Sequence, residues 1–252
     1  MKTCSSRWLS LLLLAAFLAA AVQPVSVQAA EEFQGSDPRR KAETLLARLS
    51  PEERVGQLFL VTFKGMDVRE NSQIYDLLVN RHVGGVILSA DNNNFIGPEN
   101  TLNNTHTLIS TLQTHRWVFD TGGAAPDATT SSGNYIPLLV GISQEGDLAP
   151  YDQILNGVTS LPNPMAVGAT WDPALAESTG AVMGKELQAL GFNLFLGPSL
   201  DVLDVIRTEP SEDLGTRAFG ADPYWVGKMG SAYIKGLHEG SSGRMAVIAK
   251  HF

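Results

Sequence analysis

The chain has 252 residues, of which 44% are hydrophobic and 17% charged, with 24 glycines and 13 prolines. That mixture excludes a disordered tail and is enough for one large domain or two small ones. There are 18 basic and 26 acidic residues, a net charge of −8, which argues against nucleic acid or anionic lipid as the main partner.

Residues 1–29 read as a secretory signal peptide. Lys2 and Arg7 form a short basic start, an apolar run extends from Trp8 to Val22, and small residues after Pro24 end at Val27-Gln28-Ala29. A membrane anchor can begin in the same way, but this run is short for a spanning helix and no charged stop-transfer segment follows it. The expectation is therefore a secreted protein, extracellular or periplasmic, with no membrane contact after cleavage. Cys4 precedes the apolar run and is badly placed for a lipoprotein cysteine. Cleavage would remove Lys2, Arg7 and Cys4, taking the net charge from −8 to −10 and leaving no cysteine. An exported chain without disulfides must rely on its core, which favours a large domain.

Residues 30–48 form a polar leader and a first helix, which Asp37-Pro38 can cap and which carries Leu45, Leu46 and Leu49. Ser50-Pro51-Glu52-Glu53 has the capping-box pattern of a second, short helix. Apolar and helical runs then alternate. Candidate strands are Leu58–Phe63, Gly85–Leu88, Leu138–Ile142, Leu194–Leu196 with its flanks, and Ala246–Ala249. Each is short and apolar on both faces, as strands buried in a parallel sheet are. Helical patterns lie at Asn71–Asn80, Pro98–Gln113, Pro173–Leu190 and Pro223–Gly236. The third is the clearest, started by Asp172-Pro173 and stopped by Gly191. Thr121–Asn134, rich in Ser, Thr and Gly, reads as a surface insertion. The alternation predicts an α/β fold, and both an open doubly wound sheet and a (β/α)8 barrel satisfy it. Phe63-Lys64-Gly65-Met66-Asp67 follows the first strand where a dinucleotide-binding protein would carry Gly-x-Gly-x-x-Gly.

Polar residues collect just after strand ends. The third strand runs into Ser143-Gln144-Glu145-Gly146-Asp147, the fourth into Gly197-Pro198-Ser199-Leu200-Asp201, and the fifth into Lys250-His251. In a β/α barrel those ends form the active-site face. Each group alone could simply cap a helix or bond a loop, but three strands delivering polar groups to one rim favour a site. Arg217, between Gly215 and Gly220, can reach a ligand with several fixed donors or pair with Asp201 or Asp204. His82, His106, His115 and His238 are weaker candidates, and no pair has a zinc spacing, so neither a metal nor a cofactor is expected. Asn103-Asn104-Thr105 is a glycosylation sequon.

Together these stretches resemble the N-terminal catalytic barrel of family 3 glycoside hydrolases. The likeness is nearer to the bacterial β-N-acetylhexosaminidase branch than to the β-glucosidases. It rests on Leu49 to Leu58, Val83 to Leu88, Pro137 to Gly146, Leu161 to Ala166, Gly168-Ala169-Thr170, Leu190 to Asn193, Gly197 to Val202 and Arg217 to Pro223. Lys250-His251-Phe252 is similar to the start of the family's Lys-His-Phe-Pro-Gly-His-Gly segment. The resemblance covers about 49–252 and implies a TIM barrel of which this chain holds about the first five β/α units.

The resemblance also implies a carbohydrate substrate, β-linked and probed by sugar-binding residues at Asp201, Arg217, Lys250 and His251, with Ser143, Gln144 and Glu145 on the same rim. It implies a retaining mechanism whose nucleophile and acid/base lie beyond Phe252, so no catalytic residue is assigned within the chain. One departure stands out. The branch usually carries Asp-Gln-Glu-Gly-Gly where this chain has Ser143-Gln144-Glu145-Gly146-Asp147, so Ser143 replaces a sugar-binding aspartate. A β-N-acetylhexosaminidase is the first expectation. A β-glucosidase and a non-catalytic sugar-binding barrel are the alternatives, and a metabolic barrel enzyme with a phosphate site is disfavoured by the signal peptide and the acidic balance.

Overall fold

A computed structural model describes residues 37–123, 135–205 and 214–251. The predicted signal peptide, most of the Ser/Thr/Gly insertion and Phe252 lie outside the described residues. The chain divides into two compact units, 1–47 and 48–252. The described part of the first is essentially helix α1 (Pro38–Arg48), which buries none of its side chains.

The second unit opens with α2 (Pro51–Gly56), capped as its sequence predicts. Ser50 Oγ accepts from Glu53 N at 3.1 Å, and the Glu53 carboxylate accepts from Ser50 N at 2.6 Å. Then follow β1 (Leu60–Val61), α3 (Gln73–Val79), β2 (Gly85–Ile87), α4 (Thr101–Thr121), β3 (Leu139–Ile142), α5 (Pro164–Gly168), α6 (Pro173–Ala189), β4 (Leu194–Ser199), a 3-10 turn (Gly215–Arg217), α7 (Pro223–Gly240) and β5 (Ala246–Lys250). Asp172 and Asp222 cap α6 and α7 through their carboxylates, each followed by the proline that sequence reading used to start the helix.

The five strands are parallel and lie in the order β1-β2-β3-β4-β5. A doubly wound sheet reverses its order partway; this one never does. Strand order thus decides between the two architectures left open by the alternation, in favour of the TIM-like α/β fold.

The first strand is shorter than Leu58–Phe63. Leu58 N donates to the Val55 carbonyl at 3.1 Å and Phe59 N to that of Gly56 at 3.0 Å. The turn after α2 therefore consumes the backbone groups that would begin the strand, and Leu58 is 81% exposed. Nor are the strands buried on both faces. Val86, Val140, Ile142 and Phe195 face the helices and are buried, whereas Leu139 and Ile248 are half-exposed. The register puts Leu139, Gly141, Leu194, Ala246 and Ile248 on the opposite face, the one a β/α barrel turns inward. The helix-facing side packs with Leu78, Ile109, Leu112, Leu187, Phe192 and Leu237 into a continuous core. Helix α4 runs eight residues past the predicted Gln113 and stops at Gly122, whose φ of +65° is the left-handed C-terminal signal.

Candidate functional site

The site is built where β3, β4 and β5 end. Along β3, Leu139, Gly141 and then Ser143 alternate onto the inward face; along β5, Ala246, Ile248 and then Lys250 do the same. Strand β4 needs a correction to join them. Leu196 pairs with Ile248, but Ser199 pairs with Lys250, so β4 carries one extra residue there. Such a bulge moves every later side chain to the other face. It sets Ser199 and Asp201, rather than Pro198 and Leu200, beside Lys250.

Two polar clusters result. In the first, Asp201 Oδ2 accepts from Ser199 Oγ at 2.6 Å and from His251 N at 3.2 Å, and lies 2.8 Å from His251 Nδ1. Burial pushes the Asp201 carboxyl up, but these hydrogen bonds outweigh it and hold its pKa below the ordinary value. The histidine side chain is 47% exposed and the aspartate 14%, so the carboxylate orients a ring that meets solvent. In the second cluster Lys250 Nζ pairs with Glu145 Oε1 and donates to Ser143 Oγ at 3.1 Å, while Ser143 Oγ donates to Glu145 Oε1 at 3.0 Å.

A tightly tied loop supports Glu145. The buried Asp152 accepts backbone N–H groups of Glu145 at 2.9 Å and Gly146 at 2.7 Å through Oδ1, and of Leu148 at 3.0 Å through Oδ2. Burial raises the Asp152 pKa, these N–H bonds oppose it, and the nearby Glu145 charge adds to the rise. Gln144 donates to the Ile154 carbonyl at 2.9 Å and accepts from Gln153 N and Ile154 N at 2.9 and 3.0 Å. Its amide is thus spent on the loop. Tyr233, buried in the core, has its hydroxyl pKa pushed up by burial and by the Asp152 and Glu145 charges.

Arg217 comes in from the 3-10 turn. Its Nε donates to the Leu214 carbonyl at 2.9 Å, and its guanidinium carbon lies 5.0 Å from the Tyr151 ring centre. A side chain at Gly215 (φ +56°) would collide with the Tyr151 hydroxyl, so glycine is what lets the turn close on the β3 loop. Asp147 caps no helix: Asn163 Nδ2 donates to it at 2.9 Å, while Asn163 Oδ1 caps α5 by accepting from Ala166 N at 2.8 Å.

Sequence reading missed Asp152 and Asn94. Asn94, buried, donates to the Phe63 and Gly65 carbonyls at 3.1 and 2.7 Å and accepts from Ser89 N at 3.0 Å, joining the rim loops after β1 and β2. Both sit in turns, Asn94 at the end of Asp91-Asn92-Asn93-Asn94 and Asp152 closing the turn from Leu148, but a turn pattern does not say which backbone groups the side chain will bond. The other histidines lie away from the rim clusters. His82 stacks obliquely on Phe119 with ring centres 5.6 Å apart, and its buried Nδ1 lacks a partner among the described residues. His115 packs edge-on against Tyr75. In the sequon, Thr105 is fully buried within α4 and donates to the Thr101 carbonyl at 2.8 Å, so folding withdraws the hydroxyl a glycosylation enzyme must reach. No helix among the described residues is long and apolar enough to cross a membrane.

Parallel strands in sequential order, delivering carboxylate, imidazole, ammonium and hydroxyl groups to one rim, define a β/α-barrel protein with a polar site at its strand ends. The family follows from comparison with known proteins. Residues 50–252 match the glycosyl hydrolase family 3 N terminal domain, and the chain belongs to that family. It is 28% identical over 210 residues to a β-N-acetylglucosaminidase/β-glucosidase of Cellulomonas fimi, covering 83% of this chain and 30% of the relative. It is 27% identical to the β-hexosaminidase LpqI of Mycobacterium tuberculosis, covering 85% and 46%. Among solved structures, a family 3 β-N-acetylglucosaminidase from Paenibacillus sp. str. FPU-7 superposes with a TM-score of 0.63 at 29% identity, over 81% of this chain and 33% of that one. The chain thus spans less than half the length of each of these relatives.

Proposed function

We propose that this chain forms the sugar-binding half of an exported, retaining glycosidase that hydrolyses β-linked N-acetylhexosaminides. The observation that carries the reading is the convergence of Asp201, His251, Lys250 and Ser143 at adjacent strand ends. Acceptors and donors fixed on a rigid sheet can orient a polyhydroxylated ring at little entropic cost. Relatives named β-N-acetylglucosaminidase and β-hexosaminidase support the choice of sugar. In this reading Asp201 accepts from sugar hydroxyls, Lys250 and Arg217 donate to hydroxyl or carbonyl oxygens, and His251, oriented by Asp201, completes the cradle. Gln144 acts through the loop that it ties. Retaining chemistry needs two groups across the scissile bond; both are assigned beyond Phe252, as the family resemblance implies.

The test is hydrolysis of aryl N-acetylglucosaminide and aryl glucoside by the protein with its complete barrel, beside sugar binding by the 252-residue chain. Preference for the glucoside overturns the choice of substrate. Sugar binding without hydrolysis of either favours a non-catalytic sugar-binding barrel. The observation behind that second reading is Ser143, an uncharged side chain where the branch usually has an aspartate. The 252-residue chain alone is expected to bind sugar and to hydrolyse neither substrate.

A further inference from the structure

We propose that Glu145 is a positioning residue: it fixes the Lys250 ammonium at the rim and does not itself touch the sugar. The inference rests on the sugar-site reading above and assigns a division of labour within it. The Glu145 side chain is 3% exposed, against 20% for Lys250, so the carboxylate is withdrawn from solvent that the lysine still meets. Its backbone is clamped by Asp152, and the neighbouring Gln144 by Gln153 and Ile154. The carboxylate therefore holds its place before any ligand arrives. Its second oxygen, Oε2, is buried with no hydrogen-bond partner among the described residues. A buried carboxylate so poorly served depends on its one counter-charge, and losing that partner would leave an uncompensated charge inside the protein. Lys250 is held accordingly.

The donor count says what the ammonium can still do. A lysine ammonium has three N–H donors. One is directed to Glu145 and one to Ser143 Oγ. The third is left for a neutral acceptor such as a sugar hydroxyl, with the ammonium already fixed in place. Ser143 joins the pair by accepting from Lys250 and donating to Glu145.

The experiment uses the full chain with 15N-labelled lysine. A lysine ammonium gives a visible N–H correlation only when its protons exchange slowly, so Lys250 should show one, assigned by its absence in K250M. Glu145→Gln should abolish that signal while the backbone spectrum stays folded. Calorimetry with N-acetylglucosamine then closes a double-mutant cycle. K250M and E145Q should each weaken binding about tenfold, the worth of one good hydrogen bond, and the double variant should be no worse than K250M. A surviving ammonium signal in E145Q overturns the proposal. So does a double variant weakened by the product of the two single effects, which would put Glu145 on the sugar itself. If the wild-type chain shows the expected ammonium behaviour but binds no sugar, the sugar-site reading fails and the anchoring stands. Should E145Q not fold, Glu145→Asp keeps the charge but withdraws it by one methylene; it should weaken the Lys250 signal, and an unchanged signal would overturn the proposal.

Discussion

Replacing Gly236 by alanine should destabilise the protein, while the same change at Gly227, nine residues earlier in the same helix, should stabilise it. Helices α6 and α7 cross with their backbones in contact. A Cβ at Gly236 would collide with the Glu177 carbonyl oxygen, one at Gly240 with that of Ala181, one at Gly180 with that of Tyr233, and one at Gly184 with that of Leu237. A Cβ at Gly227 would meet nothing within 4 Å. In an unobstructed helix, alanine is better than glycine by about 1 kcal/mol. At Gly236 that gain is opposed by overpacking, typically about 1–3 kcal/mol, and a carbonyl oxygen cannot rotate aside as a side chain can, which places the cost at the upper end of that range; the net expectation is a loss of about 2 kcal/mol. For a unit of this size, 1 kcal/mol corresponds to about 2–4 °C in Tm. G227A should therefore melt about 2–4 °C higher than the parent chain and G236A about 4–8 °C lower. Thermal unfolding followed by circular dichroism, with the three proteins side by side, reads both shifts. Equal stabilisation by the two variants would refute the close helix crossing.

Four further outcomes follow from the rim. Asp152→Ala removes the acceptor of three backbone N–H groups and should cost about 3 kcal/mol or more, read as a lower urea midpoint, because bonds to a charged group are worth about 1.5–3 kcal/mol each and do not simply add; a loss below about 1 kcal/mol would show that the loop holds without it. The lowered pKa of Asp201 contributes stability that is complete above its unfolded value, about 3.9, and is lost as pH falls through the lower folded value; Asp201→Asn should flatten that acid limb in urea titrations, and an unchanged slope would contradict the Ser199 and His251 bonds. The raised pKa of Asp152 has the opposite sign, so its contribution rises as pH falls through the raised folded value toward about 3.9, and Asp152→Asn should remove that part of the profile. Ser143→Asp adds a charge-assisted acceptor to the rim and should tighten N-acetylglucosamine binding about tenfold by calorimetry; unchanged affinity would mean that this position does not reach the sugar.

Three helix starts were legible because their signals are local, whereas the start read at Pro98 falls at Thr101, behind an Asn100 that makes no side-chain cap. Ser50, Asp172 and Asp222 each cap the helix that begins at the proline after them. The end of α4 was misread at Gln113 because the apolar residues of the remaining turns come consecutively, as Trp117-Val118-Phe119, rather than at helical spacing; the buried pair of Arg116 Nε and Asp120 Oδ2 at 2.7 Å helps to hold those turns. Burial pushes the Asp120 carboxyl up even against that arginine. That contact leaves no mark in hydrophobic periodicity. Strand burial was overread for a related reason. An apolar run predicts a strand, but which side helices cover depends on closure of the sheet, a property that no single strand carries.

The rim residues were legible as types and positions, and their pairing was not. Counting alternate residues along β4 from Leu194 and Leu196 sends Pro198 and Leu200 inward and leaves Asp201 facing the helices. The extra residue between Leu196 and Ser199 reverses that parity. It also sets Ser199 opposite Lys250, and the Leu200 N–H bonds the Lys250 carbonyl at 2.5 Å. Asp201 is then in place to receive both the backbone and the ring of His251. The two clusters of the rim thus depend on opposite kinds of information. Plain alternation on β3 and β5 turns Ser143 and Lys250 inward once strand order is known, and the loop tied by Asp152 then brings Glu145 to Lys250. The Asp201–His251 pair exists because β4 breaks alternation, and only the register of the folded sheet reveals it.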